Sequence, residues 1–538
     1  MAYVVTQNCC NDATCVAVCP VDCIHPTPAE RDYARTEMLY IDPGACIDCG
    51  ACAEVCPVDA IVPDDALSAD QQPYRDINLE YFTRNPRATP SGAHVQPLPP
   101  SIATTGRGEP EIVRVAIVGS GPSAFYAAEE LLARRDIDAR VTLFERLPVA
   151  GGLVRFGVAP DHGHTKTVDR VFERTARRDG FGFHLGVEIG TDVSVEELLA
   201  HHHAVIHASG AAGDRRLGVP GEELPGSHAA REFVAWYNGH PEYADRVFDL
   251  STRRAVVVGN GNVALDVARI LVSAPDDLRR TDIADHALAA LADSAIEEVI
   301  VLGRRAPEHA ACTTPELLAL GSLPGIDVGV GGAIEAADGR KAAILAEYAA
   351  REYIPGNKRI VFRFGSVPRE VVGDDRVEAL RVTESGTGAE EVVETGLVLR
   401  AIGYRGEPVP GLPFDEASGT IANIAGRVTD GGGSVSGQYV AGWIKRGATG
   451  VIGTNRYCAA ETVANLVEDF RAGLLGAPEQ DAEEFATLLR ARRPDLLDGI
   501  DWRAIDRHER EAGRAAGRPR VKVVDVAAAR DIARAARG

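Results

Sequence analysis

The chain has 538 residues, 45% of them hydrophobic and 25% charged. These are ordinary values for a globular protein, and the chain is longer than one hydrophobic core supports. That balance excludes wholesale disorder, collagen and coiled coil, and no apolar run reaches the roughly eighteen residues that a membrane span needs. The formal charge of −21, from 78 acidic and 57 basic side chains, repels phosphate backbones and argues against a nucleic-acid partner.

Nine of the eleven cysteines fall in the first 56 residues: Cys9, Cys10, Cys15, Cys19, Cys23, Cys46, Cys49, Cys52 and Cys56. Met1–Val5 lacks the basic and long apolar regions of a secretory signal. The cysteines therefore point to a reducing compartment, the cytoplasm, with thiols reserved for metal. Residues 1–65 read as one domain with eleven acidic and two basic side chains. Within it, Cys46-x2-Cys49-x2-Cys52-x3-Cys56-Pro57 has two-cluster ferredoxin spacing, which suits structural zinc poorly. A partner run stands upstream with one substitution, Cys9-x2-Asp12-x2-Cys15-x3-Cys19-Pro20. The fourth cysteine of each run reaches the other cluster, so Cys19, Cys46, Cys49 and Cys52 are expected to hold one [4Fe–4S] cluster. Cys9, Cys15 and Cys56 hold the second, with Asp12 in the place of the missing thiolate. A carboxylate is the harder, weaker ligand, so this cluster is read as [3Fe–4S], preferred, or as [4Fe–4S] with one labile iron. Cys10 is an alternative ligand, and Cys23 is read as a packed thiol.

Residues 66–110 contain Asn85-Pro86, Thr89-Pro90, Pro97, Pro99-Pro100 and Pro110 and read as a Pro-rich linker, either extended or packed on the body. At Ile112 the pattern changes. Ile112–Val118 is an apolar strand running into glycines and a predicted helix over Ala124–Arg134, with Arg140–Phe144 as the next strand. The order restarts with a strand at Ala255–Val258, a helix to about Leu271 and a strand at Val299–Leu302. Two such units predict an α/β body with two dinucleotide-binding domains. Ala204–Ala211, Arg359–Phe364 and Leu397–Ala401 read as further strands. The tail after Phe470 reads as helices, with six basic and two acidic side chains in its last 24 residues. Its basic face is either solvated or a dock for the acidic front domain.

The first unit carries Gly119-Ser120-Gly121-Pro122-Ser123-Ala124 between strand and helix. Gly119 allows the tight turn, Gly121 admits a pyrophosphate, and Ala124 permits close packing. Glu145 ends the second strand, where a carboxylate can take a ribose hydroxyl. Gly151–His162 is too apolar for a surface linker and suits the wall around a flat ring system. The second unit has Val258-Gly259-Asn260-Gly261-Asn262-Val263-Ala264, and its next strand ends in Arg304 and Arg305. An NAD site places a carboxylate there, whereas paired guanidiniums suit a 2′-phosphate, so NADP is expected.

Tyr3-Val4-Val5-Thr6 and Cys19-Pro20-Val21-Asp22-Cys23, with the two ligand runs, resemble the seven-iron and eight-iron bacterial ferredoxins. The body resembles the adrenodoxin reductase-like ferredoxin–NADP reductases over roughly 111–470. The words that carry this are Gly152-Leu153-Val154-Arg155-Phe156-Gly157-Val158-Ala159-Pro160-Asp161-His162, Gly261–Arg269, Thr313–Leu317 and Gly442-Trp443-Ile444-Lys445-Arg446-Gly447. The resemblance implies an α+β ferredoxin-like domain over 1–65 and the linker over 66–110. It implies an FAD domain in two parts, 111–250 and 396–470, an NADP domain over 251–395, and a helical extension over 471–538 added to the family plan. Gly119–Ser123, Glu145, Leu153 and Val187 would contact FAD, with Trp443, Gly450, Val451 and Ile452 closing that pocket. Asn260, Gly261, Asn262, Val263, Arg304, Arg305, Glu316 and Gly450 would contact NADP. His162 is the candidate for proton management, although the family's second carboxylate after Glu316 is Ala319 here. Cys312 and Cys458 also depart from the pattern and are read as packing residues.

The implied activity is a ferredoxin–NADP(+) reductase: hydride exchange between NADPH and FAD, and single electrons between FAD and the clusters. Its expected partner is a separate ferredoxin or a ferredoxin-dependent oxygenase system, with flow in either direction. The alternatives are an electron-input module of a larger oxidoreductase, like the small subunit of glutamate synthase, and a non-catalytic electron-storage protein.

Overall fold

The computed structural model describes residues 2–86, 111–332, 339–480 and 482–537. Near the N-terminus, Tyr3–Val5 pairs antiparallel with Ile61–Pro63, and Ile24–His25 with Tyr40–Ile41. Short helices at Thr14–Val18 and Ala51–Glu54 complete two similar halves. The helix Pro73–Arg84 completes this domain, burying Tyr74, Ile77 and Phe82. Its Asn78, 2% exposed, accepts from Val5 N at 3.3 Å and Ile41 N at 2.9 Å and donates to Val5 O at 3.0 Å. One amide thus satisfies backbone groups of two strands that have no further neighbour. The ferredoxin-like domain therefore runs to about residue 84, and the boundary read at 65 is too early. Residues 87–110, with Pro90, Pro97, Pro99, Pro100 and Pro110 of the linker reading, lie outside the described residues.

A seven-stranded sheet carries the first dinucleotide unit, in the order 423–424, 427–429, 434–440, 204–207, 112–118, 138–145, 181–185. Its four middle strands (434–440, 204–207, 112–118, 138–145) are parallel to one another. The third of these in chain order stops at His207, short of the Ala211 end expected from its apolar run. The second unit is a six-stranded parallel sheet, ordered 227–229, 397–400, 254–258, 298–302, 358–363, 326–330. Ser227–Ala229 and Leu397–Arg400 both belong to this sheet, so the domain edges read at 250 and 395 fall inside it. Burial explains the pattern: parallel strands covered on both faces read as continuous apolar runs, as in Val256, Val257, Val299, Val301 and Leu399, all fully or almost fully buried.

The tail is not a solvated appendage. Phe485 and Leu489 pack with Phe144 and Leu198, and Ile505, Ala529 and Ala533 enter the core of the first sheet. Its basic residues are engaged by the reductase body and by one another's helices: Arg520 with Asp506, Glu509 and Asp169, Lys522 with Asp282, and Arg518 with Asp285. Arg518, Arg520 and Lys522 are thus neither solvated nor turned to the front domain, while Arg534 and Arg537 stay half-exposed or more. No described helix is long and apolar enough to cross a membrane.

Candidate functional site

The strand Ile112–Val118 and the helix Pro122–Leu132 meet at Gly119, whose φ is +105°. A Cβ there would lie 2.6 Å from Ala208 O, so only glycine makes this turn. A Cβ at Gly121 would meet nothing closer than Gly152 Cα at 3.9 Å: that glycine borders open volume, as a cradle for phosphate requires. No described side chain caps the helix N-terminus, leaving N–H groups and the positive dipole end to an anion. The cavity of about 410 Å³ in front of it is lined by Gly119, Ser120, Gly121, Pro122, Ser123, Glu145, Leu153, Trp443, Gly450, Val451 and Ile452. Its size and largely apolar wall fit a flat cofactor. Glu145 accepts from Ser120 Oγ at 2.6 Å and Leu147 N at 3.0 Å. Burial raises its pKa, with the Ser120 hydroxyl pulling the other way. Val187 does not line the cavity. Its side chain is buried with Ala116, Phe144 and Leu198, and only its N–H reaches the neighbourhood, donating to Glu145 O at 2.9 Å.

The second fingerprint repeats the geometry. Gly259 has φ +116°, and a Cβ there would lie 2.3 Å from Ala401 O. The helix Asn262–Val272 again starts without a side-chain cap among the described residues. Asn260, Gly261, Asn262, Val263, Arg304 and Arg305 line one cavity. Both arginines are exposed, and neither has a carboxylate partner among the described residues. Asn262, Val263, Trp443, Gly450 and Val451 line this cavity and the first one, so a ring held in one can meet a ring held in the other.

On the wall of the first cavity, His162, Asp266 and Glu316 gather around Arg269, which is 4% exposed. It donates to Asp161 at 2.5 and 3.0 Å, to Asp266 at 2.7 Å and to His162 Nε2 at 2.9 Å. A guanidinium only donates, so Nε2 accepts and the ring proton is assigned to Nδ1. Burial would raise Asp161, but Arg269 holds it below the usual carboxylate range. Glu316 Oε2 lies 3.7 Å from His162 Nε2 and is buried without a hydrogen-bond partner among the described residues. Burial raises its pKa, with His162 pulling the other way. Asp266, 4.0 Å from His162, supplies a second carboxylate that Ala319 does not.

All eleven cysteines are free thiols. Cys19, Cys46, Cys49 and Cys52 line one small cavity with Tyr3, Val21, Cys23, Ile41 and Ile47. Cys23 Sγ is 3.4 Å from Cys19 Sγ. Cys15 is buried, and burial first, then the charges of Cys9, Asp12, Cys56 and Cys52, raise its pKa. Left-handed backbone at Asn11, Ala13, Asp22, Asp48 and Asp59 falls beside these cysteines, strain of the kind retained where a loop must wrap a group. The donor sets suit iron–sulfur clusters in both places. Asp12, however, is engaged elsewhere: its carboxylate accepts from Thr14 N at 3.3 Å and from the Thr14 hydroxyl, with Arg456 3.7 Å away.

The ferredoxin-like domain is docked on both dinucleotide units. Glu37 accepts from Thr314 N at 2.8 Å and pairs with Lys341 at 2.7 Å, and Glu80 accepts from Arg340 Nε at 2.8 Å. Thr167 Oγ1 donates to Pro57 O at 2.7 Å, and Gly453 N donates to Cys10 O at 2.7 Å. Sequence reasoning gave no role to Glu37, Arg269 or Asn455, nor to Tyr404, which lines both cavities. Asn455 accepts from Ser123 Oγ at 2.9 Å, tying the C-terminal wall to the first fingerprint. Cys312 is buried, and Cys458 Sγ accepts from Gly442 N at 3.2 Å, consistent with packing.

A 4Fe-4S binding domain matches residues 39–62, and a pyridine nucleotide-disulphide oxidoreductase domain matches 113–302. The "Probable ferredoxin/ferredoxin--NADP reductase" of Mycobacterium bovis is 48% identical over 98% of this chain and 94% of its own length. The chain belongs to the ferredoxin/ferredoxin–NADP reductase family. The "NADPH-ferredoxin reductase FprA" of Mycobacterium tuberculosis is 47% identical over 77% of this chain and 97% of its own. The solved structure of that organism's FprA in complex with NADPH superposes with a TM-score of 0.73 at 44% identity, covering 79% of this chain and all of its own. The uncovered share of this family member is about the length of the ferredoxin domain and its connection.

Proposed function

We propose that this ferredoxin–NADP reductase family member moves electrons between NADPH and ferredoxin, with FAD in the first cavity and NADP(H) in the second. A bound flavin supplies the conversion between a two-electron hydride and single electrons. For each NADPH oxidised, two one-electron carriers are reduced and one proton is released. The observation that carries the reading is the shared wall: Asn262, Trp443, Gly450 and Val451 belong to both cavities, while Cys9 and Cys10 of the ferredoxin domain complete the first.

The chain's own groups have the following roles. The uncapped helix N-termini at Gly121 and Gly261 bind the two pyrophosphates, and Glu145 takes a flavin-side ribose. Arg304 and Arg305 take the 2′-phosphate. His162, held by Arg269 with its proton on Nδ1, manages a proton beside Glu316. The Cys19-Cys46-Cys49-Cys52 set holds a [4Fe–4S] cluster. The Cys9-Cys15-Cys56 set holds a [3Fe–4S] cluster as isolated, since Asp12 is engaged by Thr14 and Arg456. The outside partner is a separate ferredoxin, including one that feeds an oxygenase. Anaerobic NADPH oxidation coupled to an added bacterial ferredoxin tests this: turnover that requires FAD and prefers NADPH supports it, and no ferredoxin reduction from the FAD- and iron-replete protein would refute it.

A further inference from the structure

We propose that the two cysteine sets stand in series between the flavin cavity and solvent. The Cys9-Asp12-Cys15-Cys56 set is inside and the Cys19-Cys46-Cys49-Cys52 set outside, so an external one-electron carrier is met at the 47–50 loop and not at the flavin cavity. This rests on the reading that both sets hold clusters.

The inner placement follows from contacts on every side of the first set. Cys9 and Cys10 line the flavin cavity. Cys10 packs with Val58, Ala60, Cys56 and Ile452, the last a wall residue of that cavity. Gly453 donates to Cys10 O, and a Cβ at Gly453 would lie 2.2 Å from Asn11 C, so the two backbones touch where only glycine fits. Arg456 donates to Thr14 Oγ1 at 2.7 Å and to Asp12 O at 3.4 Å. Tyr457 packs edge-on against Tyr33 at 5.0 Å, and the Tyr33 hydroxyl donates to Asn11 O. The anchors at Glu37, Glu80 and Pro57 fix the orientation of the whole domain.

The second set has none of this. Its cavity is lined by residues 3 to 52 alone. Ile47 is 58% exposed and Cys49 is exposed. No hydrogen bond or ion pair joins residues 44–54 to the reductase among the described residues. A carrier arriving from solution finds the flavin cavity walled by the inner set and the outer set uncovered. The electrons balance: each hydride from NADPH supplies two, which leave singly, reduce two external carriers and release one proton.

The test is EPR spectroscopy of the full-length, cluster-replete protein with and without a soluble dysprosium chelate, recorded as isolated, where a three-iron cluster is paramagnetic, and after dithionite reduction, where a four-iron cluster is. The chelate relaxes only clusters it can approach. One signal is expected to broaden while the other stays sharp. Cys49→Ser should abolish the broadened signal. Asp12→Cys, which adds a thiolate rather than removing one, should change only the sharp signal and keeps the test valid if the first variant does not fold. A reversed pattern, or equal broadening of both signals, overturns the order. A single cluster after reconstitution overturns the two-site reading beneath it.

Discussion

Replacing Arg304 and Arg305 together by alanine isolates the cofactor preference. Both side chains are exposed, stand at the end of the strand Glu298–Leu302 and line the second cavity with Asn260 and Gly261. Neither holds a carboxylate among the described residues, so removing them breaks no internal ion pair and the melting temperature is expected to stay unchanged. Each charge-assisted hydrogen bond to a phosphate contributes about 1.5–3 kcal/mol, and exposure puts these two at the low end, about 3 kcal/mol together. At 1.36 kcal/mol per decade this is roughly a 10²-fold loss in kcat/KM for NADPH. NADH lacks the 2′-phosphate and should be used as well by the variant as by the parent. The assay is steady-state kcat/KM for both nucleotides with the same acceptor. An NADPH-to-NADH ratio that survives the double substitution would refute the assignment of these residues to the phosphate.

Gly259→Ala places a methyl group against Ala401 O in a left-handed backbone; strain of about 1–3 kcal/mol should weaken NADPH binding by roughly 5- to 150-fold by calorimetry while FAD content is unchanged. His162→Ala should slow flavin bleaching by NADPH about 10²-fold if the ring manages a proton, and an unchanged stopped-flow rate would leave it a packing residue. Glu509 is fully buried and takes Arg155 at 2.6 and 2.8 Å and Arg520 at 2.9 Å. Glu509→Gln leaves Arg155 without its carboxylate, while Arg520 keeps Asp506 and Asp169, at a cost of about 3–5 kcal/mol, a melting temperature lower by about 5–10 °C. Burial would raise this carboxyl, but Arg155 and Arg520 hold it at about 2. A depressed carboxyl stabilises the fold above its unfolded value, 4.5, and that contribution drains away as the pH falls from there towards about 2. The stability gap between the parent and Glu509→Gln should therefore close across this acid range, measured by melting at stepped pH.

Much of the site was legible because its chemistry is local. The two glycine turns need positive φ at Gly119 and Gly259, and that need shows in a short stretch of sequence. The cysteine runs fix which thiols can share a loop, and the strands Ile112–Val118 and Arg254–Val258 are apolar because both faces are covered. What escaped depends on pairing at long range. Ser227–Ala229 is too short to read as a strand and exists because it lies along Leu397–Arg400. The helix Pro73–Arg84 looked like linker because its task is done by one amide, Asn78. The tail looked solvated because its basic residues meet partners hundreds of residues away, as Lys522 meets Asp282. The contact between Gly453 and Asn11 joins segments far apart in the chain, and no local pattern announces it.

The central claim is that a hydride acceptor and one-electron centres work within this one chain. Its most direct measurement is an anaerobic NADPH titration of analysed protein, following flavin absorbance and low-temperature EPR in the same samples. Stoichiometric FAD, iron and sulfide, with flavin bleaching accompanied by a change in a cluster signal, is the expected result. Full bleaching of the flavin with every cluster signal unaltered, and no electrons passed to added ferredoxin, would contradict it.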